Sequence, residues 1–252
     1  MVRRSREDTT MNAPFDPARR RLLAAASAFP VAALVAACAG TPGAVDGPPA
    51  PAPVLKPGDR WFYSGRDGFR DPLVWDETRE VVRVEPGLVD VSYVRRGPRI
   101  DASRSERWTS PGDLLVGAVF DFETRRFAKP LPRWRYPLAP GDVWSLFADN
   151  VNEPSGRPGT INYHARVGGW RSIATPAGTF DAVGVRVMIR LDDEEFWRTA
   201  TECNHLLWYA PDVGNTVREE REAQYFDKGD PLSRATFRSQ HAVIELTSFR
   251  RA

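Results

Sequence analysis

Cysteine, histidine and methionine are nearly missing from this chain, at 2, 3 and 3 of 252 residues. Two cysteines, Cys38 and Cys203, cannot supply the disulfide framework of a small secreted domain. The histidines, His164, His205 and His241, lie far apart in the chain, and no Cys or His pairs recur at metal-ligand spacing. Also absent are G-x-S-x-G, H-E-x-x-H, the phosphate-binding P-loop and the dinucleotide glycine fingerprint. On these absences the chain reads as a non-enzyme, with no catalytic residue, no cofactor and no metal.

A strongly apolar run of about 20 residues is lacking too, so no helical membrane span is expected. Neither is there a charge excess that would suit nucleic acid. The formal net charge is +2, but Arg3, Arg4, Arg6, Arg19, Arg20 and Arg21 precede residue 38 against only Glu7, Asp8 and Asp16. From Cys38 onward 29 basic residues face 30 acidic ones, which removes a nucleic-acid partner's electrostatic footprint.

What is present opens with a leader. Arg19-Arg20-Arg21-Leu22-Leu23 precedes an Ala-rich apolar run, 22–37, that ends Val35-Ala36-Ala37-Cys38. A basic start, a moderate apolar stretch and small residues before a cut site make a secretory signal over 1–37, with Met11 as an alternative start. Val-Ala-Ala-Cys resembles the lipobox, which makes Cys38 the lipidation site; the competing reading is an ordinary cut at Ala37-Cys38-Ala39. Arg19, Arg20, Leu22 and Leu23 resemble a twin-arginine export motif, although Ala18 replaces the usual Ser and no Lys follows. Residues 38–53 are Pro, Gly and Ala with little to bury, a tether. These features predict a lipid anchor on the periplasmic side of a bacterial membrane, outer membrane favoured, with a soluble periplasmic protein as the alternative.

Beyond Pro53 the pattern is extended. Val183, Val185, Val187, Ile189 and Leu191 alternate with Gly184, Arg186, Met188, Arg190 and Asp192, the period of a half-buried antiparallel strand. Pro176 with Gly178 before it, and Pro211 with Gly214 after the next strand, supply reversal chemistry. Similar runs span 73–84, 88–95, 104–110, 114–120, 161–170, 197–209, 215–226 and 232–249, with a turn at 228–231. Residues 127–137 read as a crossing loop and 150–160 as a Gly/Pro/Asn loop. Leu-x-Pro-Gly-Asp-x-Trp occurs twice, at Leu55–Trp61 and Leu138–Trp144. It is either an internal duplication or one turn solution used twice. The expected fold is all-β over 54–252: about a dozen strands in antiparallel sheets forming a half-barrel, barrel or sandwich, with no substantial helix after the signal peptide.

The segment from Pro176 to Ala182 and its Val-rich strand, then Trp208–Pro211, Val213–Gly214 and the closing Ile244–Phe249, together resemble the TapB-like family of exported, β-rich bacterial proteins. The resemblance implies a β fold and an extracytoplasmic location, and carries no catalytic residues. Asp212 stands where that family usually has Gly.

Four groups remain that chemistry could use. Cys203 and His205 share one strand face and could form a thiolate with its base or half a metal site; without a second ligand pair, they read as packing. A lone Cys203 thiol in an oxidising compartment should be buried. Asp192-Asp193-Glu194-Glu195 reads as a solvated turn, and Arg218-Glu219-Glu220-Arg221-Glu222 as an exposed strand whose charges protect a sheet edge. Eight tryptophans, Trp61, Trp75, Trp108, Trp134, Trp144, Trp170, Trp197 and Trp208, read mainly as core. The function expected is a non-enzymatic envelope lipoprotein whose β domain binds an apolar ligand in a cavity or an envelope protein. A carbohydrate module with adjacent exposed Trp, and less favourably a hydrolase, are the alternatives.

Overall fold

A computed structural model describes residues 46–68, 73–192, 194–228 and 236–252. Twelve strands follow one another: β1 (Arg60–Asp67), β2 (Leu73–Glu85), β3 (Leu88–Gly97), β4 (Ile100–Ser110), β5 (Asp113–Ala118), β6 (Thr124–Pro132), β7 (Val143–Asn152), β8 (Pro158–Thr175), β9 (Gly178–Arg190), β10 (Glu202–Ala210), β11 (Asn215–Phe226) and β12 (Thr236–Arg250). Each pairs antiparallel with the next, and β12 pairs back onto β1, so the sheet closes into an up-and-down barrel. Closure leaves no strand paired on one side only, although the β4–β5 and β6–β7 ladders cover just part of their strands.

Alternation decides which residues enter the barrel. Trp61, Tyr63, Trp75, Val81, Val89, Val91 and Tyr93 point inward from β1, β2 and β3, and Ile161, Tyr163, Ala165, Val185, Val187 and Ile189 from β8 and β9. Each buried Val, Ile or Leu adds about 1.5–3 kcal/mol over leaving it in water. Indole and phenol tips find carbonyls: Trp61 Nε1 donates to Val213 O at 2.9 Å and Tyr63 Oη to Thr216 O at 2.8 Å. Gly65 makes room for this filling, since a Cβ there would lie 2.2 Å from the Trp75 ring.

The two ends differ. At one, the segment leading into β1 lies across the opening: Ala50 bridges to Leu138, Trp170 Nε1 donates to Pro48 O, and Tyr209 Oη donates to Pro51 O. The β8–β9 hairpin curls over the same end until Ala177 N–H reaches Leu246 O at 3.1 Å. This tether end also holds the Pro176 and Pro211 turns. At the opposite end lie the connections 119–123, 153–157 and 194–201.

Both copies of Leu-x-Pro-Gly-Asp-x-Trp fold into the same turn. Gly58 (φ 92°) donates to Val81 O and Val81 N–H returns to Asp59 O; Gly141 (φ 95°) donates to Val167 O and Val167 N–H returns to Asp142 O. Each copy opens a run of six strands.

Several boundaries differ from the sequence expectation. The first half of 127–137 is not a crossing loop but the end of β6, because Pro130 sits where β6 arches outward and its missing N–H costs no ladder bond. The expected loop at 150–160 shrinks to 153–157, with Asn150 buried inside β7 and hydrogen-bonded to Arg125. The strand expected from Trp197 begins at Glu202, after an irregular segment held by Thr199 N–H to Phe226 O. The 228–231 turn falls mostly outside the described residues.

Candidate functional site

The barrel interior is built around charges. Glu77 and Arg79 of β2, Arg95 of β3, Arg104 and Glu106 of β4, Arg133 after β6, and Glu219 and Arg221 of β11 all turn inward. Arg79 bridges Glu77 and Glu219, each at 2.7 Å; Arg95 meets Glu77 at 2.5 Å; Arg221 meets Glu219 at 2.6 Å. On the other side, Glu106 receives Arg104 at 2.9 Å, Arg133 at 3.2 Å and Trp108 Nε1 at 2.9 Å. Five guanidinium groups thus share three carboxylates.

Rings make up the difference. Tyr63, Arg79, Tyr93, Arg104, Phe122, Arg95 and Trp75 form one alternating stack, with guanidinium-to-ring distances of 4.1, 5.5, 4.1, 4.2, 4.4 and 5.0 Å along it. The negative ring faces offset the positive excess. Arg79 Nη2 and Arg104 Nη1, which have no hydrogen-bond acceptor among the described residues, belong to guanidiniums packed in this stack.

The network fixes its own protonation states. Burial works to raise the carboxyls of Glu77 and Glu106, but Arg79, Arg95 and Arg104 around the first, and Arg133 and Arg104 around the second, hold each at about 2. Glu219 is likewise held well below the usual carboxylate range, against burial, by Arg221 and Arg79. Burial, then Glu106, pushes the Tyr93 phenol up to about 12. His205, buried beside this group, is pushed down to about 3 by burial and then by Arg221, so its imidazole is neutral.

The space among Arg79, Arg104, Arg133 and the tyrosines on the tether side of the interior is about 80 Å³, room for a few waters. A larger space of about 360 Å³ opens toward the opposite mouth beside Trp75, Arg95, Asp121 and Gln240. The barrel is closed, and charged and aromatic side chains line both spaces, so neither is lined by apolar groups alone.

Other sequence candidates are scattered. Cys203 and His205 do share the inner face of β10 and are both buried. His164 and His241 lie on the outer face at the two ends of one cross-strand row, His164, Met188, Asn204, Glu222, His241. They are thus four strand spacings, about 19 Å, apart, and the wall separates both from His205, so the convergence a hydrolase reading requires is not formed. Asp192 and Glu195 make ion pairs with Arg125 and Arg157, and Glu194 pairs with Lys228, which fits the solvated turn; Asp193 lies outside the described residues. The Arg218–Glu222 segment is not an exposed edge. β11 is paired on both sides, and Glu219 and Arg221 face the interior.

Adjacent surface tryptophans, needed for the carbohydrate reading, are not formed. Trp197 is 40% exposed and the other seven are buried or half-buried. Trp197 packs edge-on against Tyr225 at 5.8 Å, and Tyr225 stacks on Phe237 at 5.7 Å. With Phe196 (91% exposed) and Phe226, they give the end opposite the tether an aromatic rim.

The turn residues of the family resemblance fall at the tether end. Gly178 (φ 134°) closes a two-residue reversal on Thr175, and Gly214 (φ 71°) donates to Ala210 O and Pro211 O. Asp212 does not have positive φ, so the position does not require the glycine usual there. Cys38, Arg19, Arg20, Leu22 and Leu23 lie outside the described residues.

Sequence reasoning missed the internal arginines. The signal was there: Glu77 and Arg79 share parity with Trp75 and Val81, and Arg95 with Val91 and Tyr93. The sequence pattern puts Glu219 and Arg221 on an exposed strand and gives Glu77, Arg79 and Arg95 no role.

No family model and no curated protein matches the chain. Among solved structures, it is similar to a candidate lipoprotein from Parabacteroides distasonis, at 16% identity over 81% of this chain and 100% of that one, TM-score 0.45. It is similar to a candidate exported protein with YmcC-like fold from Bacteroides fragilis, at 12% identity over 80% and 100%, TM-score 0.45. It is also similar to the hypothetical lipoprotein YmcC from Escherichia coli, at 7% identity over 94% and 98%, TM-score 0.37.

Proposed function

We propose that this chain is a non-enzymatic lipoprotein of the cell envelope, of the TapB-like kind. Acylated Cys38 and the 38–53 tether hold its barrel on the periplasmic side of a bacterial membrane, after export directed by Arg19, Arg20, Leu22 and Leu23. The barrel is a rigid body, and its aromatic rim engages an envelope protein.

One observation carries this reading: Pro48, Ala50 and Pro51 pack against one end of the barrel, and Phe196, Trp197, Phe226 and Phe237 gather at the other. An anchored chain would therefore hold that rim away from its point of attachment, with large rings available as docking anchors. The exposed rings of the rim suit a protein partner.

Two measurements test it. Intact mass of membrane-extracted protein should show an acylated Cys38 at the N-terminus, lost in Cys38→Ala; an unmodified chain starting elsewhere would remove the anchor. A photo-crosslinking residue at Phe196 should trap one discrete envelope protein in cells, and the same residue at Val82, exposed on β2, should not. Equal trapping at both sites would refute the rim as the docking surface.

A further inference from the structure

The barrel wall is not laddered along its whole length. β6 and β7 are paired only where Arg125, Arg126 and Phe127 face Asn152, Val151 and Asn150. Beyond that point β6 arches away through exposed Ala128, Lys129 and Pro130, and β7 from Val143 to Asp149 is bonded to β8 alone. Those residues carry an edge of backbone donors and acceptors without strand partners. A groove of about 530 Å³, lined by Phe127, Ala128, Val151 and Pro158 among others, opens where the two strands part.

β4 has a comparable edge from Ile100 to Glu106, since β5 reaches only Arg107. Its outward residues are Asp101, Ser103 and Ser105, a polar row of the kind that keeps natural edges from pairing. The outward row of the β7 edge is Val143, Ser145, Phe147 and Asp149, with Val143 54% and Phe147 75% exposed. An apolar free edge of this length is a template for another strand.

The charges at its two ends select the occupant. Beside Val143, on β8, stands Arg166, which makes no ion pair among the described residues, and Arg135 packs over the neighbouring Trp144; Asp142 is the acid at that end. At the other end stands Asp149, whose carboxylate accepts the Thr160 hydroxyl, at 2.7 Å, and makes no ion pair among the described residues. The edge thus carries a cation without an ion pair, Arg166, where it begins and an acid without one, Asp149, where it stops.

We propose that a second copy of this chain occupies the edge, its β7 antiparallel to this one about a two-fold axis at Leu146. Antiparallel self-pairing over 143–149 uses the whole free ladder and sets Val143 opposite the second copy's Asp149. Each Phe147 then has Val143 and Phe147 of the other copy as diagonal neighbours on the same face, about 7–8 Å away and within reach of an aromatic ring. Arg166 lies two strand spacings, about 9.6 Å, from the second copy's Asp149, a distance that its side chain spans. The interface is isologous, as a two-fold requires.

The test uses the full chain carrying Cys38→Ala, so that no lipid drives association, in sedimentation equilibrium up to about 100 µM. That range reaches weak homodimers, with dissociation constants of tens of micromolar. The expected result is a monomer–dimer equilibrium. Phe147→Lys should weaken it at least tenfold and Val82→Lys, on the exposed face of β2, should leave it unchanged. Asp149→Arg should weaken it, and adding Arg166→Asp should restore it. The charge pair is on the surface, so its rescue decides the matter even where Phe147→Lys folds poorly. A monomer throughout the range, a dimer indifferent to Phe147→Lys, or no rescue by the double exchange would each overturn the proposal.

Discussion

Arg79 Nη1 and Glu219 Oε1 meet at 2.7 Å inside the barrel although β1 and β12 stand between their strands in the wall. The pair is a strut across the interior rather than a rung of the sheet. It also specifies register: sliding β2 by one residue would turn Glu77 and Arg79 outward and bring Asp76 and Thr78 in, with no partners waiting.

Replacing Arg79 with Met should therefore be costly. Glu77 and Glu219 would each lose a buried guanidinium, and breaking such a pair costs about 3–5 kcal/mol. Urea unfolding followed by tryptophan fluorescence should show that loss. Arg83→Met, which removes an exposed pair with Glu85, should leave the urea midpoint close to the parent's. Comparable losses for both variants would mean that the internal network adds little.

His205 sets the first step of acid sensitivity. Burial and Arg221 lower its pKa from 6.5 to about 3, so between those values the unfolded chain holds one more proton than the folded one. Stability then falls as pH falls, by about 1.4 kcal/mol per unit from this residue. His205→Gln should remove that slope between pH 6 and 5, as read from urea midpoints at each pH. An unchanged slope would contradict the assignment.

The carboxylates act lower. Glu77 and Glu106 titrate at about 2 in the folded chain, below the ordinary value near 4.5, so their stabilisation is complete above that value and is lost as pH falls from about 4.5 through 2. Acid unfolding of the His205→Gln variant should fall in that window. Glu106→Gln should flatten the pH dependence there while lowering stability at neutral pH, because Arg104 and Arg133 lose their shared partner.

Gly214 offers a backbone test. Its φ is 71°, and a Cβ would lie 1.8 Å from Arg251 Nη1, whose guanidinium donates to Val213 O at 2.8 Å. Gly214→Ala should cost about 1–3 kcal/mol from the left-handed backbone and the displaced arginine. Asp212→Gly, at a position without positive φ, should change little. Thermal denaturation of the two variants separates them.

Much of the fold could be read from period alone. Val183–Leu191 alternates without interruption, Pro176 and Gly178 mark the reversal before it, and Pro211 and Gly214 mark the reversal after the next strand, so β9 and the β8–β9 and β10–β11 turns are legible residue by residue. β6 was not, because Lys129, Pro130 and Pro132 carry the marks of a loop, and only pairing with β5 shows that they arch within a strand. The candidate site was less legible still. Arg79 and Glu219 are 140 positions apart, and no local pattern links them.

The sequence by itself determined that this chain is extended beyond residue 54 and which side of most strands is apolar, since both follow from side-chain alternation and from where Pro and Gly permit reversal. Only the tertiary structure decided that the sheet closes on itself, that its interior holds ion pairs and rings, and that β7 keeps a free edge. Those outcomes depend on which distant strands become neighbours, and charge pairing across a lumen, unlike local period, is not written in adjacent residues.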